Sequence, residues 1–300
     1  MPPPGSRWLA AVIVLFFWCS PPASAAPLRA VVSFSILEDI VRQIGGAEVA
    51  VTSLIGPDSD AHVFEPSPDQ ARLLARAQLL VVNGLRFESW LARLTRSAQF
   101  DGTVVTASDG IVPITVAGAG EDAAVPDPHA WQDPRNVIVY AGNIARALAG
   151  IDPMHAEAYR QRLQGYQAEL QALDERVRGE LAVIPAGKRR VITSHDAFAY
   201  YGKAYGITFL AAEGINTDAE PTAKAVAALV RQIRREGIKA LFVENIGDPR
   251  LVEEIAQDTG ATPGLPLYSD ALSKPDGPAP TYLRMIEYNT TALKEGMLRN

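Results

Sequence analysis

The sequence contains almost no cysteine and little histidine. Among its 300 residues there is one cysteine, Cys19, and there are four histidines. Cys19 lies close to the N-terminus, in a segment that we expect to be removed from the mature protein. Without it, no disulfide can stabilise the fold and no thiolate can bind a metal ion. A metal site in this chain would have to be built from imidazole and carboxylate groups.

Long hydrophobic runs are also scarce. The run "WLAAVIVLFFW", residues 8–18, is shorter than the ~20 residues that a transmembrane helix needs. Arg7 precedes it, and the small residues Ala23 and Ala25 follow it. A positive start, a short apolar core and a small-residue cleavage site are typical of a secretory signal peptide. We therefore predict a signal peptide at residues 1–25 and a soluble, periplasmic mature protein.

A lipid anchor at Cys19 is the alternative to cleavage after Ala25 or Ala26. A lipoprotein signal normally has small residues before the modified cysteine, whereas "FFW" precedes it here. The bulky residues disfavour the anchor.

The charge balance and the missing motifs exclude several classes of protein. The net charge is −6, whereas nucleic-acid binding usually needs a basic face. No HExxH, GxSxG or P-loop pattern is present, so the chain lacks these signals for a zinc protease, a serine hydrolase or a nucleotide-binding enzyme. We expect a protein that is not an enzyme and has no nucleic-acid partner.

Short apolar runs alternate with helical patterns in two parts of the chain. This alternation is typical of an α/β fold, in which helices flank a mostly parallel sheet. The predicted strands are 28–34, 49–55 and 79–84 in the first part, and 189–194, 207–212 and 239–244 in the second. The predicted helices are 35–46, 67–78, 222–237 and 248–260.

A long amphipathic pattern separates the two parts. Between residues 152 and 185, apolar residues recur at steps of three and four, which predicts one helix with a narrow buried stripe. A helix of this length is a stiff connection. We therefore predict an N-terminal lobe at 26–151, a linking helix at 152–185 and a C-terminal lobe at 186–300.

Two histidines lie in loops with the same residue order. His62 in "DSDAHVFEPSPD" and His129 in "PDPHAWQDP" are each preceded by Asp at the second position and followed by an aromatic residue, an acid and Pro. His195 directly follows the predicted strand 189–194. Ligands of open α/β sheets bind beyond the carboxyl ends of strands, so these loops are expected to meet between the lobes.

Asp270 in "LPLYSDALS" is a fourth candidate ligand. Three imidazoles and one carboxylate suit a divalent transition metal ion. The flanking prolines restrict the backbone of the second histidine loop before an ion arrives. Candidate acceptors for the outer ring N–H groups are Asp60, Asp127 and Asp133. Trp131 and Phe64 are candidates for shielding the site from water.

Other polar residues have ordinary structural interpretations. A single loop histidine is usually a surface residue, and we assign His155 no role. Asp196 is expected to cap the following helix, and Tyr200 and Tyr201 are expected to pack. Glu244 could accept a hydrogen bond from a ligand or be an ordinary charge at a strand end.

Taken together, the motifs "AHVFEPSP", "DPHAWQDP", "SHDAFAYYGKAYG", "FVEN" and "YSDALS" resemble those of a known family. They are similar, in this order, to the zinc- and manganese-binding solute-binding proteins of ABC transporters, the cluster A-I group. The resemblance implies two α/β lobes joined by one rigid helix, with a metal ion in the cleft. It places the four ligands at His62, His129, His195 and Asp270, the first two in the N-terminal lobe and the last two in the C-terminal lobe.

The resemblance also implies a function. Such proteins deliver their ion to an inner-membrane ABC permease. Many zinc-specific members carry a histidine-rich loop before the second ligand motif. The equivalent residues here, 116–127, contain no histidine. Manganese-specific members often have glutamate at the third ligand position, where this chain has His195. Three nitrogen donors favour Zn²⁺ over Mn²⁺, so we predict zinc, with manganese as the alternative.

Several further expectations remain open from sequence. A secreted zinc hydrolase is a rival if Asp270 points away from the ion, and a siderophore or corrinoid carrier would need a larger cleft. A periplasmic metallochaperone is a second candidate partner, although no residue identifies one. We expect a monomer with small loop changes on metal release, and affinity that falls below about pH 6.5.

Overall fold

A computed structural model describes residues 26–116, 124–218 and 221–300. The predicted signal peptide, residues 1–25, lies outside the described residues. Residues 116–127, where a histidine-rich loop would lie, are described only at their ends. There Thr115–Val116 (β5) and Val125–Pro126 (β6) form a short antiparallel pair, so the ends of this stretch are a small hairpin.

The N-terminal lobe is built on a four-stranded parallel sheet. The strands lie in the order β2-β1-β3-β4. Helices cover the sheet, which explains why its central strands are nearly continuous apolar runs. The strands are Leu28–Phe34 (β1), Val49–Ile55 (β2), Leu79–Val82 (β3) and Thr103–Thr106 (β4). The helices are Ser35–Gly45 (α1), Pro68–Leu74 (α2), Leu91–Ala98 (α3) and Pro134–Ile151 (α4).

Side-chain caps fix where two of these helices begin. Ser67 caps α2 in a reciprocal pair with Gln70, and α2 ends earlier than predicted, at Leu74. Asp133 caps α4 by accepting the backbone N–H of Arg135, and Pro134 occupies the first turn. The 18 residues of α4 were not predicted as a helix. The second histidine loop therefore ends directly at a helix start.

A single long helix, Ala156–Ala182 (α5), joins the two lobes. It has 27 residues and follows a short 3-10 turn at Pro153–His155. At 1.5 Å per residue its length is about 40 Å. It is shorter than the predicted range 152–185 at both ends. At its start, Pro153 begins only the 3-10 turn, and the helix itself begins at Ala156. Its buried stripe packs against α1, α4 and the last helix, Tyr282–Leu298 (α9). The stripe consists of Tyr159, Tyr166, Leu170, Leu173, Val177 and Leu181.

The C-terminal lobe has a smaller sheet. Arg190–Thr193 (β7) and Thr208–Ala211 (β8) pair in parallel, separated by Ala199–Tyr205 (α6). The predicted strand 239–244 is not a regular strand, because Leu241 makes only isolated bridges, to Ile192 and to Pro263. Pro263 has no backbone N–H to donate, which interrupts the ladder on that side. The helices Ala223–Glu236 (α7) and Arg250–Thr259 (α8) complete this lobe.

The apolar interior is divided unequally between two clusters. The smaller cluster contains buried residues from 192 to 256 only. The larger one contains buried residues of the N-terminal lobe, the linking helix, β7, α6 and the segment from Leu267 to Met297. The predicted fold, two α/β lobes joined by one long helix, is confirmed. The segment from Leu267 to Met297 lies within the predicted C-terminal lobe, and it shares one core cluster with the N-terminal lobe.

Candidate metal site

Three histidines and one aspartate converge at one end of the sheets. His62 follows β2, His129 lies between β6 and α4, and His195 follows β7 by two residues. Asp270 follows Leu267, which bridges to Glu244 beyond the end of the irregular strand. Because the strands are parallel, their carboxyl ends open on the same side and bring these loops together.

The ligand atoms of these four residues lie within 4.8 Å of one another. The Nε2 atoms of His62 and His195 lie 3.1 and 3.2 Å from Oδ2 of Asp270. Nε2 of His129 lies 3.6 Å from the other carboxylate oxygen and 3.4 Å from Nε2 of His62. Three nitrogens and a carboxylate thus face a common point, the donor set of a transition-metal site.

The four side chains are almost completely buried, at 3% exposed for His62, 1% for His195 and 0% for His129 and Asp270. Within the described residues, Nε2 of His195 and Oδ1 of Asp270 have no hydrogen-bond partner. Buried polar atoms are rarely left unpaired, because desolvation without a partner is costly. A cation between these atoms would satisfy both, so the donor set fits a bound metal ion.

Buried carboxylates hold two of the imidazoles from behind. Oδ1 of Asp127 lies 2.7 Å from Nδ1 of His129 and also accepts that residue's backbone N–H at 2.9 Å. Oε2 of Glu244 lies 2.6 Å from Nδ1 of His195, and Oε1 accepts its backbone N–H at 2.9 Å. A carboxylate on Nδ1 fixes the ring orientation and leaves Nε2 free to bind metal. Asp127 therefore contacts a ligand ring as predicted, and Glu244 does the same for His195.

The other two predicted acceptors do not contact a ring nitrogen. Oδ1 of Asp60 accepts the backbone N–H of His62 at 2.8 Å. Asp133 caps α4 and pairs with Arg135 at 2.6 Å. The reason lies in the backbone: Asp133 is at a helix start, where its carboxylate satisfies free N–H groups. For these two residues the predicted contact with the ring is wrong.

Mutual charges control the protonation of the site without metal. Burial opposes protonation of His129, but the charge of Asp270 and the hydrogen bond to Asp127 outweigh it and raise its pKa to about 9. Burial likewise opposes protonation of His195, yet Glu244 and Asp270 raise its pKa well above the usual value. Burial would raise the pKa of Asp270, but His129 and His195 hold it well below its usual range.

Aromatic rings form one wall of the site. Trp131 lies edge-on to His129, with centroids 5.3 Å apart, so its predicted shielding position is confirmed. Phe64 packs instead against Trp90 at 4.8 Å. The ring next to His62 is that of Phe87, at 5.0 Å. Phe87 was not among the residues predicted to line the site, although it lies five residues beyond β3, at the same end of the sheet as the histidine loops.

The segment that carries Asp270 is hydrogen-bonded to the N-terminal lobe. The indole N–H of Trp131 donates to the carbonyl of Ser269 at 2.9 Å. The N–H of Leu272 donates to Oγ of Ser35 at 2.9 Å, and the N–H of Asp58 donates to the carbonyl of Leu272 at 3.0 Å. These bonds flank Asp270 on both sides and fix its backbone against the first lobe.

The structure agrees with the sequence-based interpretation for some of the remaining polar residues and differs for others. Asp196 does not cap α6, which begins after Phe198 without a side-chain cap, because Asp196 lies two residues before the N-cap position. Tyr200 packs as predicted, but its hydroxyl also donates to the carbonyl of Asp127 at 3.0 Å. His155 pairs with Asp152 outside the site.

The sequence matches a family described as "ZnuA: Zinc-uptake complex component A periplasmic" over residues 30–296. The chain belongs to this family. It is a metal-binding, substrate-binding component of an ABC importer and not an enzyme. Such components work with a membrane permease. In the described part of the chain, no helix combines the length and apolar character needed to cross a bilayer.

The names of individual relatives mention different metals. The iron-binding protein YfeA of Yersinia pestis is 32% identical over 92% of this chain and 88% of its own length. The manganese transporter lipoprotein PsaA of Streptococcus mitis is 31% identical over 92% of this chain and 91% of its own. The periplasmic zinc-binding protein TroA of Treponema pallidum superposes with a TM-score of 0.85, at 26% identity over 91% of this chain and 99% of its own. The family is therefore shown, whereas the ion varies among its members.

Proposed function

We propose that this protein captures Zn²⁺ with His62, His129, His195 and Asp270 and delivers it to an ABC permease of the inner membrane. The observation that carries the proposal is the convergence of three imidazole nitrogens and one carboxylate within 4.8 Å. With four protein donors the coordination shell of zinc is complete, as in sites that hold zinc without catalysis. Mn²⁺ prefers oxygen ligands and binds nitrogen-rich sites more weakly.

Capture involves an exchange of protons for metal. The raised pKa values of His129 and His195 favour the doubly protonated, charged form of both rings in the metal-free protein. Zinc binds neutral imidazole, so its arrival displaces these protons. Asp127 and Glu244 lie 2.7 and 2.6 Å from the outer nitrogen of the two rings, and we expect these contacts to persist through that exchange.

Competitive titration tests the choice of ion. We expect a 1:1 zinc complex that excess Mn²⁺ does not displace. Tighter binding of Mn²⁺ than of Zn²⁺ would contradict the proposal and favour the manganese carrier, the function in the name of PsaA.

We further propose that the mature protein works in the periplasm as a monomer, after cleavage of residues 1–25. N-terminal sequencing of the exported protein should begin at Ala26 or Pro27, and its mass in solution should be that of one chain. A fatty-acylated Cys19 at the N-terminus would contradict cleavage and indicate a membrane anchor.

A further inference from the structure

Asp60 lies between a ligand and the opposite wall of the cleft. Its Oδ1 accepts the backbone N–H of His62 at 2.8 Å. Its Oδ2 accepts the hydroxyl of Thr217 at 2.6 Å. Thr217 belongs to the connection between β8 and α7, in the C-terminal lobe. One carboxylate therefore joins the backbone of a ligand in the first lobe to a side chain in the second.

A second contact ties the same loop to the same wall. The amide of Asn245 donates to Oδ1 of Asp58 at 3.0 Å. Asn245 directly follows Glu244, the residue that holds His195. Asp58 has a left-handed backbone, with φ of 52°, which favours Asp or Asn over bulkier side chains. The loop from Asp58 to His62 is thus attached across the cleft at both ends.

The other three ligands have closer supports than His62 has. Asp127 and Glu244 fix the rings of His129 and His195, and hydrogen bonds on both sides fix the backbone of Asp270. Among the described residues, no carboxylate contacts Nδ1 of His62. The position of His62 consequently depends on its loop, and the loop depends on contacts with the far wall.

We propose that Asp60 is a positioning residue for His62, and that its bond to Thr217 must open before the metal leaves. This inference rests on the proposed metal-binding function and adds a release step to it. Breaking the bond removes the cross-cleft contact nearest to His62, while Asp58 stays attached to Asn245 and Leu272. The three better-held ligands stay in place. Loss of one ligand of four opens the coordination shell. Rupture of the bond between Asp60 and Thr217 therefore controls how fast the metal dissociates, while the geometry of the metal-bound site changes little.

The test compares zinc dissociation from variants of Thr217. Thr217→Val removes the hydroxyl, keeps the branched shape and leaves the bond between Asp60 and His62 intact. Since the lost bond is to a carboxylate, dissociation should accelerate roughly tenfold, with little change in association rate. Thr217→Ser retains a hydroxyl and should restore most of the wild-type rate. Thr208→Val, at the exposed start of β8, makes the same chemical change at the end of the strand remote from the site.

The measurement is a chelator chase of the zinc-loaded protein, followed by stopped flow. A double-mutant cycle with Asp60→Ala adds a readout that general destabilisation does not mimic. If the two residues act through one bond, the double variant should release zinc no faster than Asp60→Ala alone. Additive effects, or a Thr217→Val rate equal to those of Thr208→Val and the wild type, would overturn the inference.

The result remains separable from the proposed function. Failure of the wild-type protein to bind zinc would contradict the function, and the same chase with Mn²⁺ would then test the role of Asp60. Normal 1:1 zinc binding with unchanged dissociation in Thr217→Val would contradict only the role of Asp60.

Discussion

The loops of His62 and His129 have the same residue order but are supported differently. Asp127, two residues before His129, contacts both the backbone N–H and the ring of that histidine. Asp60, two residues before His62, contacts the backbone N–H and then turns its second oxygen to the other lobe. Similar local sequence therefore produces one ligand oriented before metal arrives and one whose position depends on the cleft.

Replacing the ligands should have the largest effect. His129→Ala and His62→Ala each remove one of four donors, and each should lower zinc affinity by more than the roughly 10- to 100-fold cost of losing an outer hydrogen-bond partner. We expect the larger loss for His129, because its ring is already oriented when metal arrives. Competitive titration measures both. His155→Ala, outside the site, is the control, and unchanged affinity in His129→Ala would refute the site.

The next largest effect concerns the two aspartates themselves. Asp127→Asn removes the charge that orients the ring of His129, and we expect an affinity loss of about 10- to 100-fold. Asp60→Asn should cost less, because Asp60 does not contact a ring. Isothermal titration of both variants measures the difference. Equal losses would mean that the two loops support their ligands in the same way.

The sequence predicted the four convergent residues and the two-lobed fold well, because motif order and strand ends are local features. It predicted the supports less well. Whether an aspartate reaches a ring, a helix start or the opposite lobe depends on backbone direction, which the shared residue order of the two loops does not encode. Phe87 and the attachment of Ser269 to Trp131 depend on contacts between distant segments, and no local pattern indicates them.

The pH dependence of zinc affinity should distinguish the His62 loop from the His129 loop, with a smaller effect than the substitutions above. The pKa of His129 is raised to about 9 in the metal-free protein, above its unfolded value. Zinc affinity should therefore rise with pH until about 9, whereas the sequence alone indicated a fall only below about pH 6.5. The same shift stabilises the metal-free fold fully below about pH 6.5, and this stabilisation is lost as pH rises through about 9.

Asp127→Asn tests the cause of that shift. It removes the charge of Asp127, which raises the pKa of His129, and leaves a neutral acceptor in its place. The rise in affinity should therefore move to lower pH. Asp60→Asn should leave the profile unchanged. Titrations between pH 6 and about 9.5 with proton release measured alongside provide the comparison. A wild-type affinity that does not change over this range would rule out proton displacement at His129.

The smallest effect on metal binding is expected at Asp133, the third aspartate that was predicted to accept from a ligand ring. Its carboxylate caps α4 and pairs with exposed Arg135, so it supports the helix that follows His129 but no ligand ring. Asp133→Ala should lower the free energy of unfolding by about 1 kcal/mol, the usual cost of a lost cap. Zinc affinity should remain within about twofold, since 0.4 kcal/mol corresponds to that factor. Urea denaturation of the metal-free protein and zinc titration test the two parts separately. A large loss of affinity at Asp133 would mean that the start of α4, as well as Asp127, determines the position of His129.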